Sequence, residues 1–232
     1  MHTPFRTMAA VAAAAVLAFG AAACGGDDEE ASTTGGSGAQ TQQETQAEQP
    51  QPVAQIDTLT GRNTRVTLDA GFVSALESLM VTPAPVGEAT ISAAGVASFP
   101  ITGGNVTYYE PGTVSPFVQG RVEHEGSGLS LTAGGKVVEL TDFVVDPGAS
   151  VLTGTVTVDG EEAAADAPLF FLDGRTLQPL RTGANGAVAV LEGTTVKLTA
   201  EAADLLNQTF GIEDLQEGLV IGIAKITVNT GA

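Results

Sequence analysis

The chain holds one cysteine, two histidines, two tyrosines and no tryptophan, and only 5% of its 232 residues are aromatic. A core must therefore be built from Val, Leu, Ile and Ala, with nine Phe as its main large side chains. Basic residues are also scarce, 9 against 27 acidic, for a formal net charge of −18. From Ile56 onward there are 8 basic and 21 acidic residues, a balance of −13. Such a field repels phosphate backbones, and no basic stripe along the sequence offsets it, so nucleic acid is excluded as a partner. No Gly-x-Ser-x-Gly nucleophile elbow occurs, and Ser127 merely sits between Gly126 and Gly128 in a turn. No EF-hand loop is present.

What the chain does have begins at its N-terminus. Residues 1–23 open with a short polar stretch bearing Arg6, followed by sixteen small or apolar residues from Met8 to Ala23. That run is short for a membrane span and the right length for a signal-peptide core. It ends in Ala21-Ala22-Ala23-Cys24, which resembles the lipobox of bacterial lipoproteins. The plainer alternative is an ordinary cleavage site beside an unmodified cysteine. The resemblance implies cleavage before Cys24, a diacylglyceryl thioether on its sulfur, and anchorage on the extracytoplasmic face of a bacterial cell membrane. Two acyl chains anchor stably where one is marginal. No thiol then remains for redox, metal or nucleophilic work, and His124 is the only histidine of the processed chain. Residues 24–55 are rich in Gly, Ser, Thr, Gln, Glu and Pro, and read as a disordered tether off the membrane.

Residues 56–232 read as one domain. Thr194, Val196 and Leu198 alternate with Thr195, Lys197 and Thr199, the period of a half-buried strand. Helix formers follow from Ala200, with Ala202, Leu205, Leu206 and Phe210 on one face and Gly211 as the C-cap. Leu219 to Ala224 then reads as a buried strand. Near the other end, Thr64-x-Val66-x-Leu68-x-Ala70 repeats Thr194-x-Val196-x-Leu198-x-Ala200, and Leu76 answers Leu206. Two strand-helix-strand units thus bracket a β-rich middle. The first helix is expected over 70–81, stopped by Thr82-Pro83-Ala84-Pro85. Strands are expected over 89–92, 96–101, 105–110, 117–124, 129–133, 136–146, 151–158 and 188–191. Gly134-Gly135 and Asp159-Gly160 mark turns, and Leu169-Phe170-Phe171-Leu172 reads as the most buried strand, ending at Asp173-Gly174. Many short strands, Gly-rich turns and two short helices predict an all-β sandwich.

Candidate ligand-binding side chains are few: Tyr108, Tyr109 and His124. Of the two adjacent tyrosines, one is expected to face the core and the other solvent. His124 reads as an exposed strand-end histidine, with Glu123 and Glu125 on the opposite face. Glu161 and Glu162 read as a solvated hairpin tip. With no acid, base and nucleophile in a visible constellation, no catalytic residue and no metal site are assigned.

Gly120-x-Val122-x-His124-x-Gly126 followed by Leu129-x-Leu131 resembles a stretch of the HtaA domain, a bacterial cell-envelope module of haem-uptake proteins. The segments Val144-Val145-Asp146 to Leu152-x-Gly154, Leu169 to Asp173, and Leu198-Thr199-x-x-Ala202 are similar to its later parts, so the resemblance covers about residues 85–229. It implies a β-sandwich with two short helices. In haem-binding members a tyrosine near the first helix ligates the iron, supported by a histidine. This chain has Phe72 at that helix and lacks the family's amino-terminal Trp, so the ligand set does not carry over residue by residue. The expected function is a non-enzymatic binding module for haem or another apolar ligand. The alternative is a structural or adhesive envelope module contacting a protein or glycan.

The anchor is testable directly. In detergent phase separation the wild type is expected in the detergent phase and the Cys24→Ala variant in the aqueous phase. Equal partitioning of the two would exclude the lipid.

Overall fold

The computed structural model describes residues 50–231; the signal segment, Cys24 and the tether up to residue 49 lie outside the described residues. In chain order the elements are β1 (Ala54–Ile56), β2 (Arg62–Leu68), α1 (Ala70–Ser78), β3 (Thr82–Gly87), β4 (Thr90–Ile91), β5 (Val96–Pro100) and β6 (Gly103–Tyr108). There follow β7 (Val118–Ala133), β8 (Lys136–Asp146), β9 (Val151–Val158), β10 (Glu161–Asp173), β11 (Arg181–Gly183), β12 (Val188–Leu198), α2 (Ala200–Phe210) and β13 (Val220–Asn229).

The strands form one antiparallel sheet in the order β1-β6-β7-β8-β9-β10-β12-β13-β2-β5-β4, with β3 beside the second half of β7 and β11 beside β12. Only Ile101 and Thr102 separate β5 from β6, yet β5 pairs with β2 and β6 with β7. The Ile101 N–H donates to the Arg62 carbonyl at 2.7 Å, and the Thr102 N–H donates to the Glu123 carbonyl at 2.8 Å. One run of chain is thus bonded to both ends of the strand order. The sheet curls until its halves face one another, a sandwich with a corner made by a bending strand. Phe99 of β5 meets Phe143 of β8 edge-on at 5.3 Å, and Phe143 meets Phe170 of β10 at 6.5 Å, so aromatic rings bridge the two halves.

Both helices leave the sheet at the same end. Asp69 caps α1 by accepting from the Gly71 and Phe72 N–H groups, and Thr199 caps α2 by accepting from Ala202. Gly211 ends α2 in the left-handed region, at φ 69°. Gly222 of β13 lies opposite both Leu68 of β2 and Val196 of β12, so the two strand-helix segments flank β13 in equivalent places. Leu76 and Leu206 are both buried. The return limbs diverge: β13 comes back between β12 and β2, whereas the chain after α1 goes to β7 as β3 and to β5 as β4.

Several local expectations are revised. Helix α1 stops at Ser78, and the Thr82–Pro85 segment that was to end it becomes β3. Pro83 and Pro85 are tolerated because β3 is an edge strand with β7 as its one neighbour. The strands expected at 117–124 and 129–133 are one strand, β7, whose register shifts between His124 and Gly128. Phe171 is 47% exposed, although its apolar run reads as wholly buried. A register shift between Pro168 and Phe170 buries Leu169 and Phe170 in succession and turns Phe171 outward. Strand β1 draws Ala54 and Gln55, the end of the expected tether, into the sheet beside β6. The Gly134-Gly135 hairpin stands as expected, with both residues at positive φ between Ala133 and Lys136.

Truncation of Leu76 or Leu206 to Ala is expected to cost about 2–5 kcal/mol each through transfer and cavity terms. Urea denaturation of the two variants checks it. A cost near zero at either site would mean that the helix there is not docked.

Candidate functional site

The site is built around His124. Alternation along β7 turns Val122 and His124 inward and Glu123 outward, where Glu123 pairs with Arg121 at 3.2 Å. The β7 bulge follows at once: the Gly126 N–H donates to Asp142 at 2.8 Å and the Ser127 hydroxyl donates to the His124 carbonyl at 3.1 Å. The expectation of an exposed histidine is therefore corrected, since His124 is 2% exposed. The bulge aims its ring inward and the β5–β6 bend covers it.

Both ring nitrogens are engaged. Nδ1 lies 2.8 Å from the Pro100 carbonyl, which can only accept, so Nδ1 carries the proton. Nε2 is then the acceptor, and the Thr64 hydroxyl, 3.1 Å away, donates to it. Burial lowers the imidazole pKa below 6.5, partly opposed by the Pro100 bond. The ring is held neutral, with one defined lone pair.

His124 and Thr64 line a cavity of about 570 Å³ between the two halves of the sheet. Its walls are apolar, with Phe99, Phe143, Val145, Leu172, Val196 and Ala224 among them. At the rim stand Phe117, Asp173 and Arg175. Asp173 accepts from Arg175 at 2.6 Å and from Lys197 at 2.8 Å, and these bonds hold its carboxyl well below the usual carboxylate range. A second cavity of about 190 Å³ lies under the helices, lined by Phe72, Leu76, Leu206 and Phe210.

The three residues singled out from the sequence do not converge. His124 lies in the large cavity, whereas neither tyrosine is in its lining. Tyr108 is buried elsewhere, stacked edge-on against Phe117 at 5.8 Å, its hydroxyl accepting from the Leu180 N–H at 3.4 Å. Tyr109 is half-buried, and its backbone N–H donates to the Phe117 carbonyl. Thr64, Asp173 and Arg175 belong to the lining and were not singled out, and Lys197 holds Asp173 from outside it. Thr64 carried a signal, being the polar member of the inward set Thr64, Val66 and Leu68. Among the described residues no group of three or more His, Cys, Asp or Glu could hold a metal ion.

The lowered pKa of His124 fixes the sign of a pH dependence. Between its folded pKa and 6.5 the unfolded chain binds the proton and the folded one does not. The stability carried by neutral His124 is full above 6.5 and falls as pH drops towards the folded value, by up to about 1.4 kcal/mol per pH unit. Denaturation midpoints from pH 7.5 to 5 should therefore fall more steeply for the wild type than for His124→Gln. Parallel curves would show that the ring is not buried neutral.

No family model and no curated protein matches the chain. Among solved structures it is similar to the C-terminal domain of HtaA from Corynebacterium glutamicum, at 13% identity and a TM-score of 0.52, over 74% of this chain and 98% of that one. A domain-swapped dimer of a variant of that domain aligns at 12% identity and TM-score 0.43, over 70% of this chain and 92% of that one. The heme binding protein HtaB from the same organism aligns at 11% and 0.39, over 76% and 94%. With one antiparallel sheet curled on itself and two short helices, the chain has the fold of the HtaA C-terminal domain.

Proposed function

We propose that this domain is a binding module that holds an apolar ligand in the cavity between its sheet halves, on the extracytoplasmic face of a bacterial membrane to which Cys24 tethers it. The observation that carries the reading is the cavity itself, about 570 Å³ with an apolar lining and one buried neutral imidazole. Well-packed interiors leave few voids larger than a water molecule, whereas ligand sites commonly span about 300–1,000 Å³.

Haem is the leading ligand. The Pro100 carbonyl fixes the tautomer in which Nε2 presents a lone pair, which is the state an imidazole needs to serve as an axial donor. Thr64 would turn its hydroxyl aside to free that lone pair, while Phe99, Phe143 and Val196 would pack the ring faces and exclude water. Bound there, the group would supply an iron centre for transport or relay. Neither tyrosine serves in this arrangement, since neither lines the cavity.

Haemin titration of the purified protein tests the reading. A shifted Soret band saturating near one equivalent is expected for wild type and for Tyr108→Phe and Tyr109→Phe, and it should be lost in His124→Ala. Uptake of an apolar fluorescent probe, blocked by Ala224→Phe, would keep the cavity as a binding site for another apolar ligand if haemin fails. A free-haemin spectrum together with no probe uptake would overturn the reading and leave the domain a structural or adhesive role.

A further inference from the structure

The few basic residues of the domain are not spread over it. Residues opposite one another in antiparallel strands share a face of the sheet. Lys225 lies opposite both Glu192 and Arg65, and Arg65 lies opposite Ser98. Ile223 lies opposite Thr195 and Thr67, and Phe171 opposite Lys197. The alternating residues Val66, Val196 and Ala224 are buried, so these rows point outward. The paired stretches Phe170–Asp173, Val188–Leu198, Val220–Asn229, Arg62–Leu68 and Val96–Pro100 contain Arg62, Arg65, Lys197 and Lys225, against Asp173 and Glu192 alone. Arg175 and Arg181 adjoin them, pairing with Asp173 and Glu192. Of the basic residues after Ile56, Arg121 and Lys136 lie on other strands, and Arg62 pairs with the buried Val228 rather than with the outward row. Arg62 and Arg65 have no ion-pair partner among the described residues.

Two exposed apolar side chains stand in the same field, Phe171 at 47% and Ile223 at 43% exposure. Phe171 and Arg175 also belong to the lining of the large cavity, so its rim meets this face. We propose that the outer face of β12, β13, β2 and β5, with the Phe170–Asp173 end of β10, docks on an anionic phospholipid bilayer. The basic side chains meet headgroup phosphates, while Phe171 and Ile223 enter the interface. An aromatic and an aliphatic residue ringed by Lys and Arg suit a surface that is charged outside and apolar just beneath. A soluble polyanion offers the charge and no place to bury the two side chains. The balance of −13 does not forbid the contact, because charges on the far side are screened beyond about 8 Å at physiological salt. The docking rests on this face alone, independently of the anchor at Cys24 and of the cavity's occupant.

The absence of tryptophan makes a clean test. The full chain carrying Phe171→Trp is mixed with vesicles whose acyl chains bear bromine, either zwitterionic or containing an anionic phospholipid. Strong quenching is expected with the anionic vesicles, with loss of that quenching when Arg65→Gln and Lys225→Gln are added and the thermal midpoint is unchanged. A chain with Met80→Trp instead, a site 83% exposed on another surface, should stay unquenched. Flotation with zwitterionic vesicles reports the lipid anchor separately. Equal quenching in both lipids, none in either, or quenching of both tryptophans would overturn the docking.

Discussion

The hydrogen bond from the His124 ring to the Pro100 carbonyl ties the end of β5 to the middle of β7, the two places where an open sheet becomes a closed one. Around it the chain turns at Ile101 and Thr102, so that consecutive amides serve opposite ends of the strand order. An imidazole in an apolar interior is costly unless both nitrogens find partners, and here Pro100 and Thr64 supply them. No buried side-chain polar atom among the described residues lacks a partner. Leaving the Pro100 carbonyl and the Thr64 hydroxyl unmet would cost on the order of 1–3 kcal/mol for each buried group. The same bond that closes the sheet therefore also fixes the protonation of the imidazole buried inside it.

The cavity follows from composition as much as from topology. A core with no tryptophan and few aromatic rings has little with which to fill the centre of a wide curl. Where side chains from facing strands do meet, the packing is tight: a Cβ added to Gly154 would come within 2.9 Å of the Phe143 ring. Along the other wall, Ala97 and Ala224 stand where larger residues would close the gap. Small residues at the walls and three phenylalanines with a histidine at the seam leave a space with a defined shape. A larger side chain at Ala97 or Ala224 would occupy that space itself.

Local periodicity was legible where the partner of each residue lies close in sequence. The Gly134-Gly135 hairpin, the C-cap at Gly211, and the buried Leu76 and Leu206 of the two helices all rest on spacing within a few residues. His124 was not legible, because its burial depends on a bulge after it and on Pro100, 24 residues away. Strand β3 was hidden by its own prolines, since an edge position is a property of the sheet and not of the segment. Tyr108 and Tyr109 drew notice for their scarcity, yet scarcity says nothing about which cavity a ring faces. The net charge misled in the same way: it is a sum over the chain, and the basic residues it hides are separated by up to 163 positions, from Arg62 to Lys225, before pairing gathers them.

The place of β13 bears on how such a domain comes to be assembled. This last strand lies between β2 and β12, and its Asn229 carbonyl oxygen on the side chain accepts from Arg62 across 167 positions of sequence. Strand β2 has β5 on one side and nothing on the other until β13 arrives. Contacts of such long separation pay their loop-closure entropy before any reward, which slows folding. A growing chain that has made everything up to α2 still holds an incomplete sheet with β2 and β12 unjoined. Joining β2 to β12 therefore requires the ten residues of β13, which complete the pairing on both of their open edges at once.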